Sequence, residues 1–500
     1  MIQNVLVVGS GSAGLIAALT LKRKIPQLGV RIVRSPDIGV IGVGEGTTAN
    51  FPRHLFDYLK ISRKQFYDLA RPTWKIGVHF LWGPRESFDY DLGLTQLAVQ
   101  WRDLPLPHGF YCDDDFRATD VPSALMAEGK VFARQRNNGG PEIEPWHGFH
   151  VENRKLVECL EILARQEGIE FIDAKVSGCV RGEQGVAAVL LEGGKRLEAD
   201  FFIDSSGFRS ELLGRALQEP FVSYERSLFC DRAVVGGWER TSEPILAYTT
   251  AETMDAGWAW QIEHEHFINR GYVYSSQALS DDDALGEFLR KNPKAPESAR
   301  VVKFKSGRYR RGWVDNVVAI GNACGFVEPL EATALMIVCQ QSRTLVEFFR
   351  QCILTPTDGV RGLYNQIFAD AWDEIRDFLA LHYKLNTRLD TPFWRHCRHD
   401  TDLGNAAPLM DFYAENGPSV YAQYLLHNRL TSFGIDGFLV MFLGNRLPHR
   451  KPYVVSDAER QIWNRHRGEI AAIARDGMDV KEALKFIRSP TWRWNDSSPS

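Results

Sequence analysis

Val5-Leu6-Val7-Val8-Gly9-Ser10-Gly11-Ser12-Ala13-Gly14 decides the fold. A β-branched apolar run reads as a strand, and a Gly-x-Gly-x-x-Gly turn follows it at once. Small residues and helix formers continue from Ala13 to Leu21, and Val30 to Val33 reads as a second strand. This is a βαβ unit, the usual host of a dinucleotide. Gly9 permits the tight turn, Gly11 lets the backbone approach a pyrophosphate, and Gly14 lets helix and strand pack closely. The helix start offers its free N–H groups to the phosphates. The loop Gly9, Ser10, Gly11, Ser12, Ala13 and Gly14 is therefore the candidate cofactor cradle. Such folds often end the second strand on an acidic residue that holds the ribose. Here that place has Arg34-Ser35, so the adenosine end is held either differently from the usual pattern or by Ser35.

Two later strand ends turn the reading from NAD towards FAD. Phe201-Phe202-Ile203-Asp204-Ser205-Ser206-Gly207 and Val318-Ala319-Ile320-Gly321-Asn322-Ala323 both run from a buried strand into a Gly-containing turn. Flavin hydroxylases use such a late turn to reach the ribityl and pyrophosphate groups, so Gly321 and Asn322 join the candidate cofactor set. Either strand end alone would be an ordinary core feature.

Three further segments carry possible chemistry. A helix predicted to start near Ala332 would leave N–H groups free for a small anion. Glu331 beside it is either a first-turn acid serving the helix dipole or a functional carboxylate. Lys75, in the apolar stretch Pro72 to Phe80, is either a snorkelling surface residue or a buried hydrogen-bond donor. Trp258 and Trp260 lie on one face of a predicted strand, where core packing is the default explanation. Elsewhere, Trp74 to Trp82 reads as one strand, Asp103 to Gly148 as loops, and Arg154 to Gly168 as a helix. Ser223 to Tyr274 reads as several strands. From Leu335 the pattern is mainly helical, with a disordered tail over 495–500.

Composition bounds the class. The 500 residues are 44% hydrophobic and 24% charged, ordinary globular values. Net charge is -4, with no basic stripe, which argues against nucleic acid and anionic membranes as partners. The 8 cysteines show neither paired nor metal-ligand spacing, so no metal and no disulfide framework is expected, and a cytoplasmic setting fits. No segment reads as a signal peptide or a membrane span.

Taken in order, these segments resemble the flavin-dependent halogenases, best known as tryptophan halogenases. The resemblance rests on the Gly-rich opening, Ile41-Gly42-Val43-Gly44-Glu45-Gly46-Thr47, Trp74-Lys75 and Ile203 to Arg209. It continues through Trp258 to Ile262, Gly271 to Ser276, Gly325 to Thr333, and Asp377-Phe378 with His382-Tyr383 and Pro392-Phe393-Trp394. It implies an α/β fold: a Rossmann-like FAD module of the flavin monooxygenase type, an added antiparallel sheet and a mainly helical C-terminal module. The division expected is 1–345 for the FAD module with its inserted sheet and 346–500 for a helical module covering the substrate.

The implied activity uses reduced FAD from a separate reductase, oxygen, and chloride or bromide. Hypohalous acid so formed passes through a tunnel to an electron-rich aromatic substrate. Lys75 would hydrogen-bond the oxidant or form a haloamine, and Glu331 would stabilise the arenium ion or take its proton. The N–H groups of Thr333 and Ala334 match the halide site. Trp258 and Trp260 match the pair that keeps substrate from the flavin. Gly42-Val43-Gly44-Glu45-Gly46 would form a strap between the flavin and substrate pockets, where the alternative is a plain Gly-rich loop, and Ile41, Val43, Gly44 and Gly46 would contact the cofactor. The reductase contact would be transient, through diffusing reduced flavin. Oligomeric state is left open, a homodimer included.

Departures from the family pattern are Ala332 and Ala334 in place of Ser and Gly, and Glu263 in place of a closing Pro. The segment Ser432 to Gly437 lacks the aromatic and acidic pattern that holds an amino acid's charged groups, so free tryptophan is not the expected substrate. The alternatives are a flavin-dependent aromatic monooxygenase and a non-catalytic flavin-binding protein.

Overall fold

The computed structural model describes residues 1–35, 44–93, 119–427, 432–451 and 454–494. The expectations for Ile41, Val43, the tail 495–500 and most of the loop region before 119 lie outside these residues.

The opening sequence forms β1 (Asn4–Val8), α1 (Ser12–Lys24) and β2 (Gly29–Arg34). β1 is the middle of a six-stranded sheet, pairing in parallel with β2 on one side and with Phe201–Asp204 on the other. Val317–Ala319 extends the sheet beyond Phe201–Asp204, and Glu170–Asp173 extends it beyond β2. Val5 to Val8 are buried on both faces, which is why the run is continuously apolar and does not alternate. Helices Asn153–Gln166 and Ala334–Gln351 pack on α1. The latter therefore ties the C-terminal helices directly to the nucleotide-binding layer.

A second sheet of seven strands orders Arg300–Lys303, Arg232–Glu239, Phe267–Tyr274, Gly257–Glu263, Tyr248–Met254, Gly77–Leu81 and Phe88–Asp91. It is antiparallel except where Tyr248–Met254 runs parallel to Gly77–Leu81. The 28-residue helix Asp358–Leu385 lays its buried end, Phe378 to Tyr383, against this sheet. Trp82 Nε1 donates to the His382 carbonyl at 2.8 Å, and Trp394 Nε1 donates to the Met254 carbonyl at 2.7 Å.

Three sequence expectations need correction. Trp74 to Trp82 is two strands, not one. Thr73–Lys75 joins a small sheet with Gly148–Val151 and Glu45–Gly46, and the chain then crosses into the large sheet at Gly77. A side chain at Gly77 would meet the Tyr90 carbonyl at 2.7 Å, so only glycine allows the crossing there. The span read as loops contains the helix Val121–Ala127, started by Asp120 and Ser123 in a reciprocal cap. The helix expected near Ala332 begins at Ala334, because Ala332 is left-handed, with φ 55°. Among the described residues, no helix is long and apolar enough to cross a membrane.

Candidate active site

A cavity of about 270 Å³ opens at the C-terminal ends of β1 and its parallel neighbours. This is where open α/β sheets bind ligands. The turn after β1 forms one wall, Ser205-Ser206-Gly207 and Gly321-Asn322 form others, and Arg34 and Ser35 border the end of β2.

The three glycines of the opening turn have separate tasks. Gly9 has φ 109°, and a side chain there would strike the Ser205 carbonyl at 2.5 Å. A side chain on Gly14 would meet the Gly9 carbonyl at 2.2 Å, so Gly14 lets α1 press against the turn. A side chain on Gly11 meets no protein atom within 4 Å and would project into open space. Nothing among the described residues requires glycine at Gly11, whereas a pyrophosphate lying on this turn would. Gly11 also caps α1 without any side-chain bond, leaving the first N–H groups of that helix for phosphate oxygens. Ser12 Oγ donates to Asn153 Oδ1 at 2.9 Å, which ties the turn to the neighbouring helix. These residues fit FAD. Arg34 pairs with Glu161 and Asp173 and lies over the Phe171 ring, so it is tied to the protein. Gly321 turns with φ 64° and donates its N–H to Gln341 Oε1 at 3.0 Å.

Thr333 and Ala334 sit at the start of the helix Ala334–Gln351, and Ala334 borders the cavity. The first turn closes with Ile337 N–H on the Thr333 carbonyl. The amides of Thr333 and Ala334 thus precede the helix's own bonding and carry its positive end. Ala334 is helical, so alanine in place of glycine creates no strain there. The left-handed position of this turn is Ala332.

Lys75 and Glu331 are both buried, at 1% and 4% exposure. Burial pulls the Lys75 ammonium down to about 8, while the charge of Glu331 acts in the other direction. Gly46 lies beside Lys75 and Ala332. A side chain on it would stand 3.5 Å from Lys75 Cδ and 3.4 Å from Ala332 Cβ. The neighbouring Glu45 borders the cavity, so the strand Glu45–Gly46 touches the cavity at one residue and Lys75 at the other. Gly44 is pinned against His264, whose Nε2 leaves no room for a side chain. Glu331 is more than a first-turn acid, because its Oε1 meets His382 Nε2 at 2.8 Å.

Trp258 and Trp260 sit on the strand Gly257–Glu263 with ring centroids 6.2 Å apart. Trp258 Nε1 donates to Glu328 Oε2 at 2.6 Å, and Trp260 Nε1 donates to Asn269 Oδ1 at 2.8 Å. Trp260 lies across Gly271, its cross-strand partner, where any side chain would clash with the indole. Glu263, which replaces the family's closing Pro, is buried and accepts from Arg240 and Gln261.

With this geometry in view, the comparisons decide the family. The tryptophan halogenase family model matches residues 4–459. The chain belongs to the tryptophan halogenase family. Tryptophan 7-halogenase KtzQ of Kutzneria sp. (strain 744) is 32% identical over 449 residues, covering 83% of this chain and 80% of that protein. Tryptophan 7-halogenase RebH of Lentzea aerocolonigenes is 29% identical over 422 residues, covering 79% and 78%. Among solved structures, MibH, a lanthipeptide tryptophan 5-halogenase, superposes with a TM-score of 0.88 at 34% identity, covering 97% of this chain and 93% of MibH. BrvH, a flavin-dependent halogenase from Brevundimonas sp. BAL3, gives 0.84 at 25% identity, covering 97% and 99%. This tryptophan halogenase homologue is an oxidoreductase that uses FAD and a halide, and its family depends on a separate flavin reductase and an aromatic substrate. The matches favour halogenation over oxygen insertion or flavin binding without turnover.

Sequence reasoning gave no role to Glu328, His382 or Asn153. His382 was legible as part of the resemblance and as a polar residue in the apolar run Phe378-Leu379-Ala380-Leu381-His382-Tyr383. A histidine at 0% exposure must be hydrogen-bonded, and that was the available signal.

Proposed function

We propose that this halogenase installs chloride or bromide on an indole carried by a molecule larger than free tryptophan. The observation that carries the reading is the buried Lys75 and Glu331 pair, with Lys75 beside Gly46, whose neighbour Glu45 borders the cavity.

Bound reduced FAD, with oxygen and halide, supplies the oxidising equivalent as hypohalous acid. The amides of Thr333 and Ala334 hold the halide at the positive end of their helix. Lys75 donates a hydrogen bond to hypohalous acid and gives a proton to its departing hydroxyl, which leaves as water. The aromatic carbon takes the halogen. Glu331 stabilises the arenium cation and accepts the ring proton, while the C–H electron pair returns to the ring. A low-dielectric pocket strengthens both interactions. Trp258 and Trp260 hold the substrate away from the flavin, which disfavours direct oxygen transfer.

The case against free tryptophan rests on the C-terminal helices. Phe433 and Phe438 both pack on Phe378, at centroid distances of 3.9 and 4.9 Å, and are committed to the core. Burial, with the charge of Asp120, raises the Asp436 carboxyl to about 7, so it is a poor standing anion for an α-ammonium group. MibH, whose substrate is named as a lanthipeptide tryptophan, also matches along nearly the whole chain.

The test is mass spectrometry of products from tryptophan, simple indoles and tryptophan-containing peptides, with reduced FAD, oxygen and each halide. Halogenated indole or peptide without halogenated tryptophan is the expected outcome. Efficient halogenation of free tryptophan overturns the substrate reading, and oxygenated products overturn the reaction.

A further inference from the structure

His382 is 0% exposed, and both of its ring nitrogens are engaged. Nδ1 lies 2.8 Å from the Phe378 carbonyl, four residues earlier on the same helix. A carbonyl oxygen only accepts, so Nδ1 carries a hydrogen. Nε2 lies 2.8 Å from Glu331 Oε1. With Nδ1 already the donor, a neutral ring has only a lone pair at Nε2. A hydrogen bond at that distance then requires a proton on one partner: carboxylic acid facing imidazole, or carboxylate facing imidazolium. Fixation of Nδ1 thus forces the pair to share one proton.

We propose that Glu331 and His382 act as one proton-holding pair, in which His382 positions the carboxylate and keeps it poised to take the ring proton released on halogenation. This rests on the halogenase reading above. With the shared proton on Nε2, Glu331 is a carboxylate whose second oxygen is available. The ring C–H bond breaks, its electrons return to the ring, and the proton goes to Glu331. The pair then carries two protons, and the excess proton returns to Lys75, which has lost one to the departing hydroxyl. The net change is hypohalous acid plus aromatic to haloaromatic plus water.

Among the described residues, the charged and titratable groups facing the pair are few. Lys75 interacts with Glu331 from the strand Thr73–Lys75, and the Tyr90 hydroxyl feels its charge from Phe88–Asp91. Glu328 faces His382 from the turn before Glu331. Phe80, Phe378 and Trp82, with ring centroids 5.3, 5.0 and 6.4 Å from the imidazole, pack around it.

Two measurements on the full-length enzyme test the pair. In the first, proton NMR of ring-labelled histidine is recorded on the wild type and on Glu331→Gln, with no turnover. An exchange-protected, far-downfield imidazole proton, lost in Glu331→Gln, is expected, and its absence from the wild type overturns the shared proton. This readout stands whether or not the enzyme proves to be a halogenase. In the second, the peptide or indole that the substrate screen shows to be brominated is prepared, before bromination, with deuterium at the reacting carbon. His382→Gln keeps a donor towards Glu331 but cannot relay a proton. It is expected to lower kcat roughly tenfold or more, the low end of what a positioned base contributes, with KM held and a primary isotope effect absent from the wild type. A His382→Gln enzyme with wild-type kcat and no isotope effect overturns the proposal.

Discussion

Glu328 Oε2 accepts the Trp258 indole N–H at 2.6 Å and the Tyr383 hydroxyl as well, so a single buried carboxyl joins the tryptophan wall to the helix that carries His382. Its Oε1 has no partner among the described residues, and burial raises the group to about 7 from its ordinary 4.5. The raised value fixes the sign of a stability effect. Between these two values the unfolded chain ionises while the folded protein stays protonated, so stability falls as pH rises through that window. Glu328→Gln cannot ionise. Chemical denaturation should show the variant gaining on the wild type by on the order of 3 kcal/mol between acid and neutral pH. A pH-independent difference contradicts the assignment.

Gly11 and Gly14 should separate binding from folding. Gly14→Ala drives a side chain into the Gly9 carbonyl and should lower the melting temperature sharply or abolish soluble protein. Gly11→Ala meets no protein atom and should fold normally. Its methyl group enters the space read as the pyrophosphate site, so FAD affinity should drop by about tenfold or more, a cost of ~1.4 kcal/mol. Thermal melts and flavin-fluorescence titration measure the two effects. Unchanged FAD affinity in Gly11→Ala would place the phosphates elsewhere.

The part of the fold legible in the sequence is the part governed by local rules. The opening turn, the paired late strands and the helical C-terminal region each announce themselves by apolar period and glycine placement. The break inside Trp74 to Trp82 was not legible, because it is dictated by the Tyr90 carbonyl and Met126, which reach Gly77 from distant segments. Ala332 gives no local warning of a left-handed backbone. Lys75 and Glu331 were legible as types in a pattern. Their shared burial, and the contact of Glu331 with a histidine 51 positions later, exist only once the long helix docks on the large sheet.

Ala332 holds φ 55° without being glycine, directly between Glu331 and Thr333. A left-handed alanine costs about 1 kcal/mol relative to glycine. Ala332→Gly should therefore raise unfolding free energy by up to that amount. It should also loosen the turn that aims Glu331, lowering kcat while FAD affinity holds. A destabilised variant would show that the methyl group's packing outweighs the backbone strain.

Gly46 offers a test of the strap. A methyl group at this position would stand 3.3 Å from Thr249 Oγ1 and 3.5 Å from Lys75 Cδ, so alanine fits with small adjustments and valine does not. Gly46→Ala should leave folding and FAD affinity near wild type and reduce the halogenated product formed per reduced FAD consumed. Gly46→Val should abolish halogenation while still binding FAD. Full coupling in both variants would remove Gly46 from the path between the compartments.

Lys75 supplies a pH test with two signs. Its ammonium falls from 10.5 to about 8 on burial, so between these values the unfolded chain binds the proton that the folded protein has released. Stability gained from losing that proton rises with pH across the window, and the burial penalty is fully present below it. Lys75→Met lacks the group. Its advantage over the wild type should be on the order of 3 kcal/mol near neutrality and shrink as pH approaches the unfolded value. Activity should move the opposite way. If Lys75 works as an ammonium donor, single-turnover halogenation falls as pH rises through about 8, because the donor proton is lost. A haloamine route needs the free amine and predicts a rise through the same pH. The sign of that limb in the wild type, together with no halogenation in Lys75→Met despite normal FAD binding, decides between the two roles. Halogenation retained in Lys75→Met would remove Lys75 from the chemistry altogether.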